Sequence, residues 1–113
     1  MKITLHDEQV QYNPAGHYNM TARRAHSKDM SGSEILTIGC STFNPGGGAE
    51  ASPVKPGMEL VYYVIEGTLT VTCEGQDYQL QAGDSIFFKA GEIRSVKNNT
   101  EEQAVMLVIS GVH

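Results

Sequence analysis

The first candidates for chemistry in this chain are three histidines and two acidic residues, because imidazole and carboxylate groups bind metals and transfer protons. They are His6, His17, His26, Glu50 and Glu59. Their spacing matches no recognisable metal-binding pattern, and a histidine outside such a pattern is more often a surface or capping residue than a ligand. We therefore predict no metal site from these residues. A rearranged site built from His17, His26, Glu50 or Glu59 stays open.

The two cysteines, Cys40 and Cys73, each lie inside an apolar, strand-like stretch and form no C-x-x-C pair or Cys/His cluster. Small buried thiols behave as ordinary hydrophobic side chains. We therefore predict two reduced core thiols rather than a disulfide or a metal clip.

The charge balance excludes some partners. The chain has 113 residues, a net charge of -5 and no basic run longer than Arg23-Arg24, so it lacks the electrostatic patch that grips nucleic acid or an anionic membrane. No stretch approaches the roughly 18 apolar residues that a membrane span needs. We expect a cytoplasmic protein that binds neither nucleic acid nor membrane.

Regular turn signals predict the elements that must position any site. Gly67, Gly75, Gly83 and Gly91 punctuate the chain at equal intervals, which is typical of short antiparallel strands. The predicted strands are Glu34–Phe43, Leu60–Ile65, Thr68–Cys73, Tyr78–Gln81, Ile86–Phe88, Ile93–Lys97 and Ala104–Ile109, with a further candidate at Met20–His26. The Pro45-Gly46-Gly47-Gly48 segment is predicted to be a loop. The pattern favours one all-β domain, a sandwich or closed barrel of seven or so strands, over residues 1–113, with an N-terminal arm at 1–32 and the barrel at 33–113.

The segment GDSIFFKAGEIRSVKN, residues 83–98, resembles the second cupin motif, which runs Gly, five residues, Pro-x-Gly, two residues, His, three residues, Asn. Gly83, Gly91 and Asn98 are in register with it. Lys89 replaces the proline of the motif, and Arg94 replaces its metal-binding histidine.

The first cupin motif fits upstream in spacing but not in ligands. Anchoring it on Gly47 and Gly67 places Pro53 and Lys55 at the two histidine positions and Leu60 at the glutamate position. A shorter gap would place Glu59 there instead, but the distance to Gly67 would then be one residue too long. The resemblance implies a cupin-type antiparallel jelly-roll barrel, similar to the RmlC-like proteins, with a site inside the barrel.

Metal-dependent cupins hold their ion with three imidazoles and a carboxylate. A guanidinium has no lone pair for a metal, and an ammonium must first lose its proton. Pro53, Lys55, Leu60 and Arg94 therefore predict that the usual metal site is absent, and we predict no cofactor.

A binding site is predicted instead. Strand alternation places Tyr62 on the same face as Leu60, and the motif places Arg94 inside the barrel with Lys55 near its mouth. Two cations in an apolar cup would attract a small organic anion. With Glu59 as a further candidate, these five residues are the predicted ligand-binding set, and no catalytic residue is assigned.

Other interpretations stay open. An internal ion pair of Arg94 with Glu59 or a neighbouring acid would fill the pocket rather than open it, because a buried charge needs some partner. The protein could act as a binding accessory or in a metal-independent isomerase step. The rival class is a metal-dependent cupin enzyme, such as a dioxygenase, decarboxylase or isomerase, with non-standard ligands.

Three predicted strands, LVYYVI, SIFF and AVMLVI, lack the alternation expected when one face of a sheet meets solvent. A lone barrel of this size buries only its inner face. We therefore expect a second copy of the chain to cover the outer face in a homodimer. The alternative is that the N-terminal arm caps these strands.

Overall fold

The structure is a computed structural model that describes residues 1–113. Nine strands make up most of the chain. They are β1 (Val10–Tyr12), β2 (His17–His26), β3 (Leu36–Pro53), β4 (Met58–Glu66), β5 (Thr68–Cys73), β6 (Gln76–Gln81), β7 (Ser85–Phe88), β8 (Ile93–Lys97) and β9 (Ala104–Val112). The only helices are a 3-10 turn at His6–Glu8 and the four-residue α1 at Lys28–Ser31. Neither helix has the length and apolarity needed to span a bilayer.

All strand pairs are antiparallel, in the order β6-β5-β8-β3-β9-β4-β7, with β2 paired to β3 and β1 paired to β2. Strand β3 belongs to both walls of the barrel, because residues 36–43 pair with β9 and residues 48–53 pair with β8. The structure therefore has the antiparallel jelly-roll architecture predicted from the motifs.

The predicted loop at Pro45-Gly46-Gly47-Gly48 is wrong, because β3 runs through it from Leu36 to Pro53. Gly47 and Gly48 lie where neighbouring backbones pack too closely to leave room for a side chain. A Cβ on Gly47 would collide with the carbonyl oxygen of Asn19, and one on Gly48 with that of Val96. These glycines let three strands approach at the bend of β3.

The N-terminal residues add two strands to the barrel wall. The candidate strand at Met20–His26 begins earlier, at His17, and pairs with β3 along its length, with two register shifts. Strand β1 then pairs with β2 and forms the edge of the wall.

Alternation along β4 agrees with the prediction. Leu60, Tyr62 and Val64 are buried, whereas Tyr63 and Ile65 are exposed. The buried set forms one core with side chains from β3, β5, β7, β8 and β9, including Phe43, Leu69, Val71, Phe88, Val96 and Met106.

Both cysteines are free thiols, but only one of them belongs to the core. Cys73 packs with the core side chains. Cys40 is half-buried and lines a cavity on the outside of the barrel, so its prediction as a core thiol is wrong. The Cys40 side chain points away from the barrel interior, and neighbouring residues on the outer surface cover part of it.

The turn residues behave as the spacing predicted. Gly67, Gly75, Gly83 and Gly91 all have positive φ, a backbone conformation that favours glycine. Asn98, the asparagine of the second motif, is fully buried and makes four side-chain hydrogen bonds. Its amide nitrogen donates to the carbonyl oxygens of Phe43 and Glu102, which fixes the turn between β8 and β9 onto β3.

Candidate functional site

Arg94 lies on β8, where it is paired in register with Ser52 of β3 on one side and Cys73 of β5 on the other. Its Nε donates a hydrogen bond to the hydroxyl oxygen of Tyr62 at 3.1 Å. Its Nη1 donates to the carbonyl oxygen of Ser52 at 2.7 Å and to the hydroxyl oxygen of Ser52 at 2.9 Å. These three hydrogen bonds fix the guanidinium, while no protein acceptor is bonded to Nη2.

The buried side chain of Tyr62 holds Arg94 in place from the side of the core. Its side chain is only 5% exposed, and its ring meets the ring of Phe88 edge-on with 5.3 Å between centroids. Burial raises the pKa of the Tyr62 hydroxyl, although the positive charge of Arg94 and its hydrogen bond oppose that shift. Tyr62 is therefore a neutral acceptor at pH 7 that holds the guanidinium in one orientation.

A cavity of about 350 Å³ lies beside this arginine. Its lining is Ser52, Pro53, Val54, Lys55, Met58, Leu60 and Arg94. All four positions that correspond to the metal ligands of the cupin motifs therefore converge on one cavity. The motif positions thus lie together in the structure, although none of their side chains is a usual metal ligand.

The predicted binding residues separate into three groups. Lys55, Leu60 and Arg94 line the cavity. Tyr62 lies behind Arg94 and reaches the cavity only through it. Glu59 is exposed and lies outside the lining, since its neighbour Leu60 occupies the inward position of β4.

The internal ion pair between Arg94 and Glu59 does not form. The one contact within 4 Å between a basic and an acidic side chain joins His6 and Asp7 near the N-terminus, at 3.2 Å. Arg94 is instead held by neutral oxygen atoms, which leave its positive charge without a carboxylate partner.

The residues present do not fit the metal ion of the cupin family. Pro53 and Leu60 offer no side-chain donor, and Lys55 and Arg94 carry positive charge. The arrangement left open in the sequence also fails to assemble, because no three His, Cys, Asp or Glu side chains lie close enough to hold a metal. His17, for example, has its Nδ1 within 2.9 Å of the carbonyl oxygen of Ala15.

Ser52 is the residue that sequence reasoning missed. Its carbonyl and hydroxyl oxygens accept two of the three hydrogen bonds that the Arg94 guanidinium donates. Its position directly before Pro53 was a weak signal, but the contact depends on the register between β3 and β8, which local sequence does not reveal.

With the barrel and its cavity defined, comparison with known proteins gives the class. The sequence matches the cupin domain family over residues 39–110. The chain belongs to the cupin family, and its structural relatives include RmlC-like cupins.

Particular relatives extend this assignment. The β-D-galactosidase Rv1717 of Mycobacterium tuberculosis is 34% identical over 108 residues, which is 96% of this chain and 91% of that protein. The structure of KdgF from Halomonas sp. superposes with a TM-score of 0.82 at 13% identity and covers 100% of this chain and 94% of that one. The polyketide cyclase RemF of Streptomyces resistomycificus gives a TM-score of 0.85 at 17% identity, covering 100% of this chain and 80% of that one. At such low identity the two structures show a shared fold.

Proposed function

We propose that this protein is a metal-free cupin that binds a small organic anion in the cavity beside Arg94. The observation that carries the proposal is the state of the guanidinium, which three hydrogen bonds to Tyr62 and Ser52 fix at the cavity without any carboxylate partner.

The lining favours an organic anion over an inorganic one. Lys55 adds a second positive charge, while Val54, Met58 and Leu60 provide apolar surface for a carbon skeleton. A preformed arginine binds a carboxylate with charge-assisted hydrogen bonds, at little further entropic cost. The volume of about 350 Å³ is near the lower end for ligand pockets and fits a small molecule.

A thermal-shift screen tests this proposal. A panel of small mono- and dicarboxylates, each paired with its neutral amide, is added to the wild-type protein at one ionic strength. At least one acid should raise the melting temperature more than its amide does, because a ligand at 100 times its Kd stabilises the folded state by about 2.7 kcal/mol. The absence of any such acid would contradict the proposal.

Two variants assign the response to the cavity. Arg94→Met keeps a similar volume and removes the charge, and it should lose the response relative to its own melting temperature. Lys97→Met removes an exposed charge from the same strand, and it should retain the response. Equal responses in both variants would place the binding elsewhere.

A second candidate function is hydrolysis of a β-galactoside, which the similarity to the mycobacterial enzyme favours. Against it, glycosidases usually place two carboxyl groups about 5–9.5 Å apart around the bond that breaks, and no Asp or Glu lines this cavity. Release of nitrophenol from nitrophenyl β-D-galactoside decides between these functions. Turnover that Arg94→Met abolishes would replace simple binding by hydrolysis in the same cavity.

The same screen addresses the remaining roles. Proton NMR of any acid that binds would reveal a metal-independent isomerase step as conversion of that acid, whereas an accessory protein leaves it unchanged. A metal-dependent role would require bound metal, which the side chains at the motif positions do not favour.

We also propose that the protein forms a homodimer. Phe87, Val61, Ile109 and Ile38 lie side by side across β7, β4, β9 and β3 on the outer surface, and we call these four residues the outer apolar row. Phe87 is 56% exposed and Tyr63, beside the row, is 42% exposed. A second copy that covers this row would remove these aromatic rings from water.

A further inference from the structure

We infer that the outer surface of β2 and β3 carries a second binding site, centred on Arg23, for a small hydroxylated oxyanion. This inference does not depend on the proposed function of the inner cavity. It rests on a separate cavity and on polar groups that the protein leaves without partners.

The strand register places the polar groups together. Arg23 of β2 lies opposite Cys40 of β3, and Thr21 lies opposite Thr42. All four side chains point outward, because Ala22, the residue between Thr21 and Arg23, is buried in the wall.

These side chains surround the largest cavity of the molecule, about 540 Å³. The N-terminal segment closes one side of it with His6 and Gln9. Asn44, Gln103 and Val105 complete the lining. Seven of the nine lining residues are polar, so the cavity suits a ligand that is itself rich in hydrogen-bonding groups.

Arg23 is half-buried, and its guanidinium takes part in no hydrogen bond or ion pair with the protein. Asp7 lies near Arg23, but the contact that its carboxylate makes is with His6 Nδ1, at 3.2 Å. The neighbouring Arg24 differs, because its guanidinium stacks over the ring of Tyr12 at 4.3 Å. A half-buried guanidinium with no acceptor is prepared to bind an anionic oxygen, which it does best with two parallel hydrogen bonds.

The groups around Arg23 define the rest of the ligand. Thr21 and Thr42 line the cavity, and neither hydroxyl makes a hydrogen bond within the protein. A hydroxyl can both donate and accept, so it complements the hydroxyl of a ligand. Burial raises the pKa of the Cys40 thiol and the charge of Arg23 partly opposes that shift, which agrees with a guanidinium close to the cavity floor.

This site is distinct from the inner cavity. It uses the half of β3 that pairs with β9, whereas Ser52 and its neighbours belong to the half that pairs with β8. It borders the outer apolar row, because Cys40 of its lining lies two residues from Ile38 on the same face of β3.

Residue-resolved NMR titration tests the inference, with D-gluconate as the hydroxylated carboxylate and acetate as the carboxylate without hydroxyls. Sodium chloride keeps the ionic strength constant. Gluconate should shift the amide signals of Thr21, Arg23, Cys40 and Thr42 in a saturable manner through the millimolar range, and acetate should bind at least about tenfold more weakly.

Adjacent arginines supply the matched control. Arg23→Gln should weaken gluconate binding by about tenfold or more, whereas Arg24→Gln should change it less than about twofold. Arg94→Met should leave the outer shifts intact, so failure of the inner site and failure of this one are distinguishable. Three results would overturn the inference: no saturable shift, shifts confined to Ser52 and Val54, or equal weakening by Arg23→Gln and Arg24→Gln.

Discussion

Replacement of Asn98 by alanine should be among the most damaging single changes outside the apolar core. The side chain is fully buried, and it donates to Phe43 O at 3.1 Å and to Glu102 O at 2.7 Å. Its Oδ1 accepts from Thr100 N at 3.0 Å and from Thr100 Oγ1 at 2.7 Å. Alanine removes all four interactions and takes the amide donor away from the Phe43 carbonyl oxygen in a buried contact.

The magnitude follows from these bonds. Each is worth about 1 kcal/mol net, and water reaching the exposed side of the turn recovers part of the loss, so the free energy of unfolding should fall by about 3 kcal/mol. For a domain with a stability of about 5–15 kcal/mol, the variant should still fold. With a urea m-value of about 1.5 kcal/mol/M, the unfolding midpoint should fall by about 2 M.

Urea unfolding followed by circular dichroism measures this effect. Asn99→Ala is the matched control, because Asn99 is exposed and adjacent, and it should change stability by less than about 0.5 kcal/mol. Asn98→Asp keeps the acceptor but turns an oxygen toward two carbonyls, so it should cost at least as much as alanine. The reasoning would be refuted if Asn98→Ala unfolded at the same urea concentration as Asn99→Ala.

Three further predictions concern the site and the assembly. In Arg94→Met, Tyr62 should ionise at a higher pH than in the wild type, as measured by ultraviolet absorbance. Burial raises the pKa of Tyr62, and the variant lacks the arginine that opposes this shift. An unchanged titration would contradict the contact between the two residues. In both proteins the stability that this tyrosine contributes is present below the ordinary pKa of about 10 and falls as the pH rises above it, since the folded state holds the proton more tightly. Light scattering at micromolar concentration should give twice the chain mass of 12.3 kDa, with Phe87→Glu monomeric and the exposed Tyr78→Glu on β6 still dimeric. Elemental analysis of protein purified without chelators should find no stoichiometric transition metal, and a value near one per chain would reject the donor-set argument.

Local signals predicted much of this fold correctly. Strands β5 and β8 have the predicted bounds, because Gly67 and Gly75, both with positive φ, flank β5, and Gly91, also with positive φ, precedes β8. The same signals gave a wrong prediction at residues 45–48, which belong to β3. Local sequence predicts that Gly47 and Gly48 are turn residues, whereas they are needed where the backbones of other strands come close. That requirement depends on residues distant in sequence.

The two cavities show the same division. Motif spacing brought Lys55, Leu60 and Arg94 to one place, because a fold repeated across a family fixes where those positions lie. It gave no information on Ser52 or on the outer cavity around Arg23. Those depend on which residues of paired strands stand opposite each other, and strand register becomes known only once the chain is folded.

The pairing of β3 with β9 also has a kinetic consequence. It sets Leu36 against Gly111 and Phe43 against Ala104, so the central seam of the barrel joins regions separated by most of the chain. Bringing β3 and β9 together closes a long loop of chain, and this costs conformational entropy before the strand pair can form. We expect folding on the millisecond-to-second scale typical of non-local β topologies, and removal of β9 should leave the inner edges of both β3 and β4 open to association with other chains.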